Sequence, residues 1–374
     1  MITVLIFLGV LTTLILVHEL GHFLTAKAYG VKVLEFGLGF PPRLFSIRKG
    51  ETVYSVNAIP LGGFVRLLGE EDPTDPRSLA SRGIIPRVVV LSAGSFMNVL
   101  LPLVIFTLML SIPSKVVEGR VQVIEVAPNS PAFQAGLREG DFVNRVDGVD
   151  IKNIPQLSQR IHLNLGKEIK WDITREKYRM TGNVGSGGDP GLTPRMAPVE
   201  TKAITTYLKP RWNPPEGEGN VGVVISTISP SLVTRSEPIW QAIPHAARKV
   251  LDTLKLFRNE MLGLIIGSQK AQFAGPVGIA QVSGEVAKAG LRPLLELTAL
   301  LSLNLAIINI LPIPALDGGR LIFVLLEWIR RGKRIKPERE GFVHLVGFVV
   351  LVSIIIVITY FDVLRIVRGE SLLG

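Results

Sequence analysis

The sequence predicts a polytopic α-helical membrane protein with about four transmembrane helices, a cytoplasmic-side β-hairpin loop and an extracytoplasmic β-rich domain. Three observations carry that prediction. Of 374 residues 47% are apolar and only 19% charged, against about 25% charged in soluble domains, and the deficit is gathered into long apolar runs. Four runs, roughly 1–26, 88–112, 294–316 and 342–361, reach the ~20 residues needed to cross a ~30 Å hydrocarbon core. Between the second and third lies a long segment patterned as short strands and turns. Lys and Arg outnumber Asp and Glu by 41 to 31, a net charge of +10. The surplus sits mostly beside the apolar runs, so membrane lipid is an expected partner and nucleic acid is not. With no cysteine, disulfides and thiolate metal sites are excluded, and any metal must rely on His and carboxylate ligands.

The first run ends in Ala26-Lys27-Ala28, which has the small-residue look of a signal-cleavage site. No Lys or Arg precedes it and it is too long for a signal core, so a retained span is expected. The following loop, Lys27 to Arg87, holds nine basic and six acidic side chains, and Arg330 to Glu340 is also strongly basic. Both loops are therefore expected in the cytoplasm, with both termini and residues 113–293 on the other side of the cell inner (plasma) membrane. Within the first loop, Arg43 to Ile47 and Thr52 to Ala58 flank Arg48-Lys49-Gly50-Glu51 and read as a β-hairpin. Its free edge, with Thr52, Tyr54 and Val56, could accept an extended peptide as an added strand, the alternative being a plain hairpin that packs on the protein.

The organisation expected is a membrane domain over 1–112, a β-rich domain over 113–230, an amphipathic helical connector over 231–293 and a second membrane domain over 294–374. Val121 to Ile151 alternates short β-rich runs with Pro-Asn-Ser-Pro and Asp-Gly turn signals, with one short helix near Pro131 to Leu137. Thr181 to Pro198 and Pro210 to Asn220 are rich in Gly and Pro and read as mobile insertions or loop tips, and Val221 to Ile228 as a last strand. From Ile239 to Ile265 apolar residues recur at helical spacing, with Arg248, Lys249, Lys255 and Arg258 mostly elsewhere on the wheel.

The chemistry concentrates in His18-Glu19-Leu20-Gly21-His22, inside the first apolar run. Residues four apart share a helix face, so both imidazoles can reach one ion, with Glu19 beside the open coordination position. A charge near the bilayer interior costs about 2.5–3.5 kcal/mol, so three ionisable groups in one turn of an otherwise uncharged span demand a purpose. Nine residues separate His18 from Lys27, which puts the site about 13 Å from the cytoplasmic end of that helix. A third His six residues after His22 is absent, since Ala28 stands there, and His162, His245 and His344 have no company. Asp317 is the better third ligand. It follows Asn309-Ile310-Leu311-Pro312-Ile313-Pro314-Ala315-Leu316, where two prolines break an apolar span, though a carboxylate merely capping the end of a span would read the same way.

HELGH in the first span and NILPIPALDGG in the third resemble the two signatures of the site-2 protease family of intramembrane zinc metalloproteases, in the bacterial group with an exported PDZ domain. FGLGF at Phe36 to Phe40, IPLGGFVRL at Ile59 to Leu67, SAGSFMN at Ser92 to Asn98 and GPVGIA at Gly275 to Ala280 extend the resemblance over nearly the whole chain. It implies His18, His22 and Asp317 as Zn²⁺ ligands, Glu19 as catalytic acid/base, and Asn98 and Asn309 as polar residues near substrate. It also implies a PDZ-like exported domain that gates access, and single-span membrane protein substrates such as anti-sigma factors or signal-peptide remnants. Ser95 departs from the family, which usually has Pro there, and this bears on the helix geometry around Asn98. Two other classes compete: a membrane metal-binding or transport protein using the same His/Asp cluster, and a PDZ scaffold with a vestigial membrane part. Transport predicts such groups on several spans and no need of Glu19. Ligand type alone would admit several divalent ions.

Overall fold

The computed structural model describes residues 2–181, 195–268 and 274–369. The chain divides into two compact units, one of Met1–Ser111, Pro238–Val250 and Gln272–Gly374, the other of Ile112–Glu237 and Leu251–Ala271.

The first unit opens with α1 (Ile2–Ala28), followed by β1 (Val33–Lys49), β2 (Thr52–Leu67) and α2 (Ile84–Ser111). The expected hairpin is present, but both strands are longer and bent. Val33–Leu38 lies between two stretches of β2, paired from Glu35↔Val53 to Leu38↔Val56 on one side and from Val33↔Leu67 to Leu38↔Gly63 on the other. Arg43–Lys49 then covers the far side of Thr52–Asn57. This corrects the expectation that Thr52, Tyr54 and Val56 lie on a free edge: they belong to an inner strand with neighbours on both sides. Thr52 Oγ1 donates to Val33 O at 2.9 Å, and the Tyr54 ring packs against Phe23 at 6.0 Å. The sheet's outer sides are instead Arg43–Lys49 and Gly63–Leu67. Glu35, 4% exposed inside the sheet, is matched by Arg43 at 2.5 Å and Ser55 Oγ at 2.8 Å.

The second unit is built on β3 (Ser114–Val126), α3 (Pro131–Gln134), β4 (Phe142–Val146), β5 (Val149–Asp150), α4 (Ile154–Leu163), β6 (Ile169–Thr181), β7 (Arg195–Leu208) and β8 (Val223–Arg235). The strands form one sheet in the order β7-β6-β4-β3-β8, with β5 turned back on β4. Alternation along β3 and β6 sends Val121, Val123, Ile169, Trp171 and Ile173 into a core closed by Leu157 of α4. Ser130 and Asn153 cap the two short helices, accepting from Phe133 N at 3.1 Å and Gln156 N at 3.0 Å. Of the two Gly/Pro-rich stretches, the first joins β6 to β7 and its residues 182–194 lie outside the described residues. The second is tied down: Gly166 N donates to Pro210 O at 2.8 Å, and Arg211 pairs with Glu218 at 2.5 Å. The amphipathic helix is α5 (Ile239–Ile265), within which Asn259 Nδ2 donates to His162 O at 2.8 Å at the end of α4.

The chain finishes with α6 (Pro276–Lys288), α7 (Leu291–Ile310), α8 (Asp317–Ile329) and α9 (Pro337–Val367). Among the described residues four helices, α1, α2, α7 and α9, are long and apolar enough to cross a membrane, as the four runs predicted. The third stops at Ile310, six residues short of expectation, because Pro312 and Pro314 lack the N–H a helix would use and the chain turns before restarting at Asp317. The fourth begins at Pro337, so the end of the basic stretch forms its first turn. The GPVGIA motif is the start of α6. Asp362 of α9, 1% exposed, accepts from Gly278 N at 2.7 Å, and a Cβ on Gly275 would stand 2.8 Å from the same carboxylate oxygen. Asp362 thus caps α6 from another helix. Asp362→Ala is expected to lower stability by about 1–2 kcal/mol through loss of that cap, read as a fall in the thermal midpoint in detergent, while Asp362→Asn, which keeps an acceptor, loses less.

Candidate metal centre

The site grows from α1. Its 3.6-residue period puts His18 and His22 one turn apart on the same face, 7% and 8% exposed. That face meets α2 at unusually short range. A Cβ on Gly21 would collide with the Ala93 carbonyl. One on Gly94 would collide with His22 Nε2 and lie 2.5–2.6 Å from His18 Cε1 and Nε2. Gly94 therefore leaves open the space beside the two ring nitrogens, which any side chain would fill.

Asp317 arrives from the other end of the chain. Leu311 to Leu316 folds back between α7 and α8, and Asp317 is the first residue of α8. Its Oδ2 stands 3.0 Å from His18 Nε2 and 3.2 Å from His22 Nε2, and the two Nε2 atoms are themselves 3.2 Å apart. Among the described residues this is the one group of three or more metal-capable side chains that converge in this way. Three donors held roughly 3.3 Å apart are what a tetrahedral zinc with ~2.0–2.1 Å bonds requires, and two imidazoles with one carboxylate is a donor set zinc accepts. The residues fit the ion.

The outer sides of the rings are also arranged. His22 Nδ1 donates to Val90 O at 2.7 Å, which leaves its Nε2 lone pair facing inward. His18 Nδ1 lies 3.2 Å from the Asn98 amide nitrogen, while Asn98 Oδ1 is buried without a partner among the described residues. Amide N and O occupy nearly the same positions, and turning the amide over lets Oδ1 accept from His18 Nδ1–H. That orientation satisfies the orphaned oxygen and frees His18 Nε2 for a metal. The Asn98 backbone is in turn fixed by Ser302 Oγ of α7, which donates to Asn98 O at 2.7 Å.

A cavity of about 180 Å³ opens beside the cluster, lined by Glu19, His22, Phe64, Val65, Asp317 and Arg320 among others. Glu19, half-buried, is outside the ligand triangle but borders the same space. The β2 edge reaches this point: a Cβ on Gly63 would be 3.6 Å from Glu19 Cγ. Arg320 is ion-paired with Glu70, whose other carboxylate oxygen takes the Leu67 N–H at 3.4 Å.

Of the residues singled out from sequence, the structure brings His18, His22, Asp317, Glu19 and Asn98 together. Asn309 is half-buried at the end of α7 and does not line the cavity. Thr52, Tyr54 and Val56 are in the inner strand and do not line it either. The residues that sequence reasoning missed are Gly94, the Val90 carbonyl, Arg320 and His344. Gly94 was in view inside SAGSFMN, but nothing local marks it as facing the histidines.

The family model for peptidase family M50 matches residues 6–354. The chain belongs to peptidase family M50. The family resemblance carried by HELGH and NILPIPALDGG is thereby borne out, and with it metallopeptidase activity that uses zinc. The chain is 35% identical to a Clostridium perfringens protein named provisionally as a zinc metalloprotease, over 94% of this chain and 96% of that one. It is 27% identical to the Bacillus subtilis regulator of sigma-W protease RasP, over 97% and 98% of the two chains. It is 28% identical to the zinc metalloprotease RasP of Oceanobacillus iheyensis, over 98% and 99%. Together with the four apolar helices, the M50 assignment makes this a multi-pass membrane protein.

Gly94→Ala is expected to weaken zinc binding by about 100-fold without loss of folded protein, measured by competition with a chromophoric chelator. Wild-type affinity in that variant would mean that α2 can withdraw from the histidines.

Proposed function

We propose that this M50 peptidase hydrolyses peptide bonds within or near the transmembrane segments of membrane-anchored proteins, with His18, His22 and Asp317 as zinc ligands and Glu19 as the catalytic acid/base. The observation that carries the reading is the 3.0–3.2 Å triangle of two Nε2 atoms and one carboxylate oxygen, with Glu19 on the adjoining cavity, on a helix apolar enough to cross the membrane. A transport reading needs ligand groups on several spans, and among the described residues there is one such group. The chemistry zinc supplies when bound is Lewis-acid polarisation of a carbonyl and acidification of a water near neutral pH.

The chain's own residues do the rest. Val90 O and Asn98 hold the rings with Nε2 inward, Glu19 takes the proton from the attacking water, and the same carboxyl returns it to the leaving amine. A substrate helix buries its carbonyls in hydrogen bonds and must be unwound before attack. The Gly63–Leu67 edge supports strand addition as the means, since it lies beside Glu19 and has one side unpaired within the sheet. Asn309 is kept as a residue near bound substrate on the family's pattern alone.

The basic loops support an orientation with the site toward the cytoplasm and the termini and sheet unit outside. The sheet unit, with helices α3 and α4, is proposed as a PDZ-like gate that admits substrates already shorn of bulky ectodomains. The name of the Bacillus relative, a regulator of sigma-W protease, favours single-span anti-sigma factors as substrates.

Glu19→Gln should retain zinc and lose at least about 10³-fold in cleavage of a single-span reporter, while His18→Ala loses both zinc and cleavage. Wild-type turnover by Glu19→Gln would sink the assignment. Deleting residues 116–228 should permit cleavage of full-length substrates with intact ectodomains, and unchanged selectivity counts against the gate.

A further inference from the structure

We propose that His344 of α9 is a positioning residue for Asp317, acting through the backbone of the loop that precedes it. The inference rests on the reading of Asp317 as a zinc ligand.

The loop from Pro312 to Leu316 has five backbone nitrogens. Two belong to proline and donate nothing. Ile313 N donates to Leu311 O, just before the loop, at 2.7 Å, and Leu316 N to Ile313 O, within it, at 3.2 Å. The remaining donor, Ala315 N, goes to His344 Nδ1 at 3.0 Å. Ala315 is also where the loop departs most from ordinary backbone, with φ at +76°, a left-handed conformation that a residue with a Cβ rarely adopts. It persists only where the surroundings over-determine it. Among the described residues His344 is the one side chain that bonds to that N–H, and Ala315 is two residues from Asp317.

The same face of α9 holds the loop a second way. Gly347, one turn beyond His344, has Pro314 against its backbone: a Cβ there would collide with the proline ring and lie 2.8 Å from the Pro314 carbonyl carbon and oxygen. His344 is itself fixed by Phe323 of α8, with the rings 5.5 Å apart. Because Nδ1 accepts from Ala315, the ring proton sits on Nε2, which is buried without a hydrogen-bond partner among the described residues. A residue chosen only to fill space would be apolar and carry no such unpaired donor. What a histidine offers here and a leucine does not is an acceptor at the Nδ1 position. The side chain of asparagine places its oxygen at the same distance along the chain.

The test uses the full-length protein in detergent, with zinc affinity read by chelator competition alongside kcat and KM on a single-span reporter. His344→Leu is expected to weaken zinc binding about 10–100-fold and to lower kcat with little change in KM. His344→Asn, which restores the acceptor, should return to within about threefold of wild type. Ala315→Gly, which accommodates the left-handed backbone without a partner, should recover much of the loss when combined with His344→Leu. Wild-type zinc affinity in His344→Leu overturns the proposal. So do equal losses in His344→Leu and His344→Asn, because the ring's bulk and not its acceptor would then matter. Zinc binding that survives His18→Ala unchanged refutes instead the metal-site reading beneath it.

Discussion

The close approach of α1 and α2 is the constraint on which the centre depends. Lipid tails are as apolar as leucine, so helices in a bilayer associate through packing, and small residues at the contact let backbones come together. Gly21 against Ala93 and Gly94 against the histidines provide that contact. Its consequence is chemical as much as mechanical. Only with α2 at this distance does the Val90 carbonyl reach His22 Nδ1 and the Asn98 amide reach His18, so one packing event orients both rings and leaves the space between them. A bulkier residue at position 94 would separate the helices and undo all three effects.

The carboxylate is delivered by α8, a helix that is fixed at both ends. At its start α8 carries Asp317. Near its end, Glu327, 7% exposed, is paired with Arg87 at the beginning of α2 at 2.7 Å and with Arg334 at 3.1 Å. Arg334 also donates to Ala80 O at 2.8 Å. Removing one partner of a buried pair costs about 3–5 kcal/mol, because the other charge is left desolvated. The pair therefore restrains α8 against α2, the helix that already fixes the histidines, and the proposed ligands from distant parts of the sequence share one frame.

What was legible in the sequence was whatever shows in local period and composition. The four apolar runs, the amphipathic spacing of Ile239 to Ile265 and the four-residue separation of His18 and His22 each follow from a rule that operates within one turn or one span. Asp317 was legible as well, because two prolines in an apolar stretch with an acid behind them contradict an ordinary span. What was not legible depends on tertiary contact. Thr52, Tyr54 and Val56 looked like an edge because a two-strand hairpin has two edges. The register that folds Val33–Leu38 between two parts of β2 is a long-range choice no local pattern announces. His344 looked solitary for the same reason, since its partner is the backbone N–H of Ala315, which carries no residue-specific mark. Gly94 is silent because its contribution is the absence of an atom.

On the proposed reading, the sheet edge beside Glu19 answers a problem that the proposed metal ligands alone leave open. A helical substrate satisfies its backbone internally, and in hydrocarbon each unmet N–H or C=O is expensive, so unwinding is opposed unless new partners are at hand. An inner strand has none to give, and Thr52–Asn57 is engaged on both sides. Gly63–Leu67 is paired with another strand, Val33–Leu38, on one side only; its Leu67 N–H is taken by Glu70, and Gly63 brings it against α1 at the level of Glu19. On the proposed reading, the backbone groups that a substrate exposes on unwinding are met by the strand that also sets its carbonyl next to the acid/base. Exposed edges are otherwise a hazard, since they invite pairing with any extended chain. On the same proposed reading, setting this edge against α1, a helix apolar enough to cross the membrane, restricts its visitors to chains already in the bilayer, as cleavage within membrane segments requires.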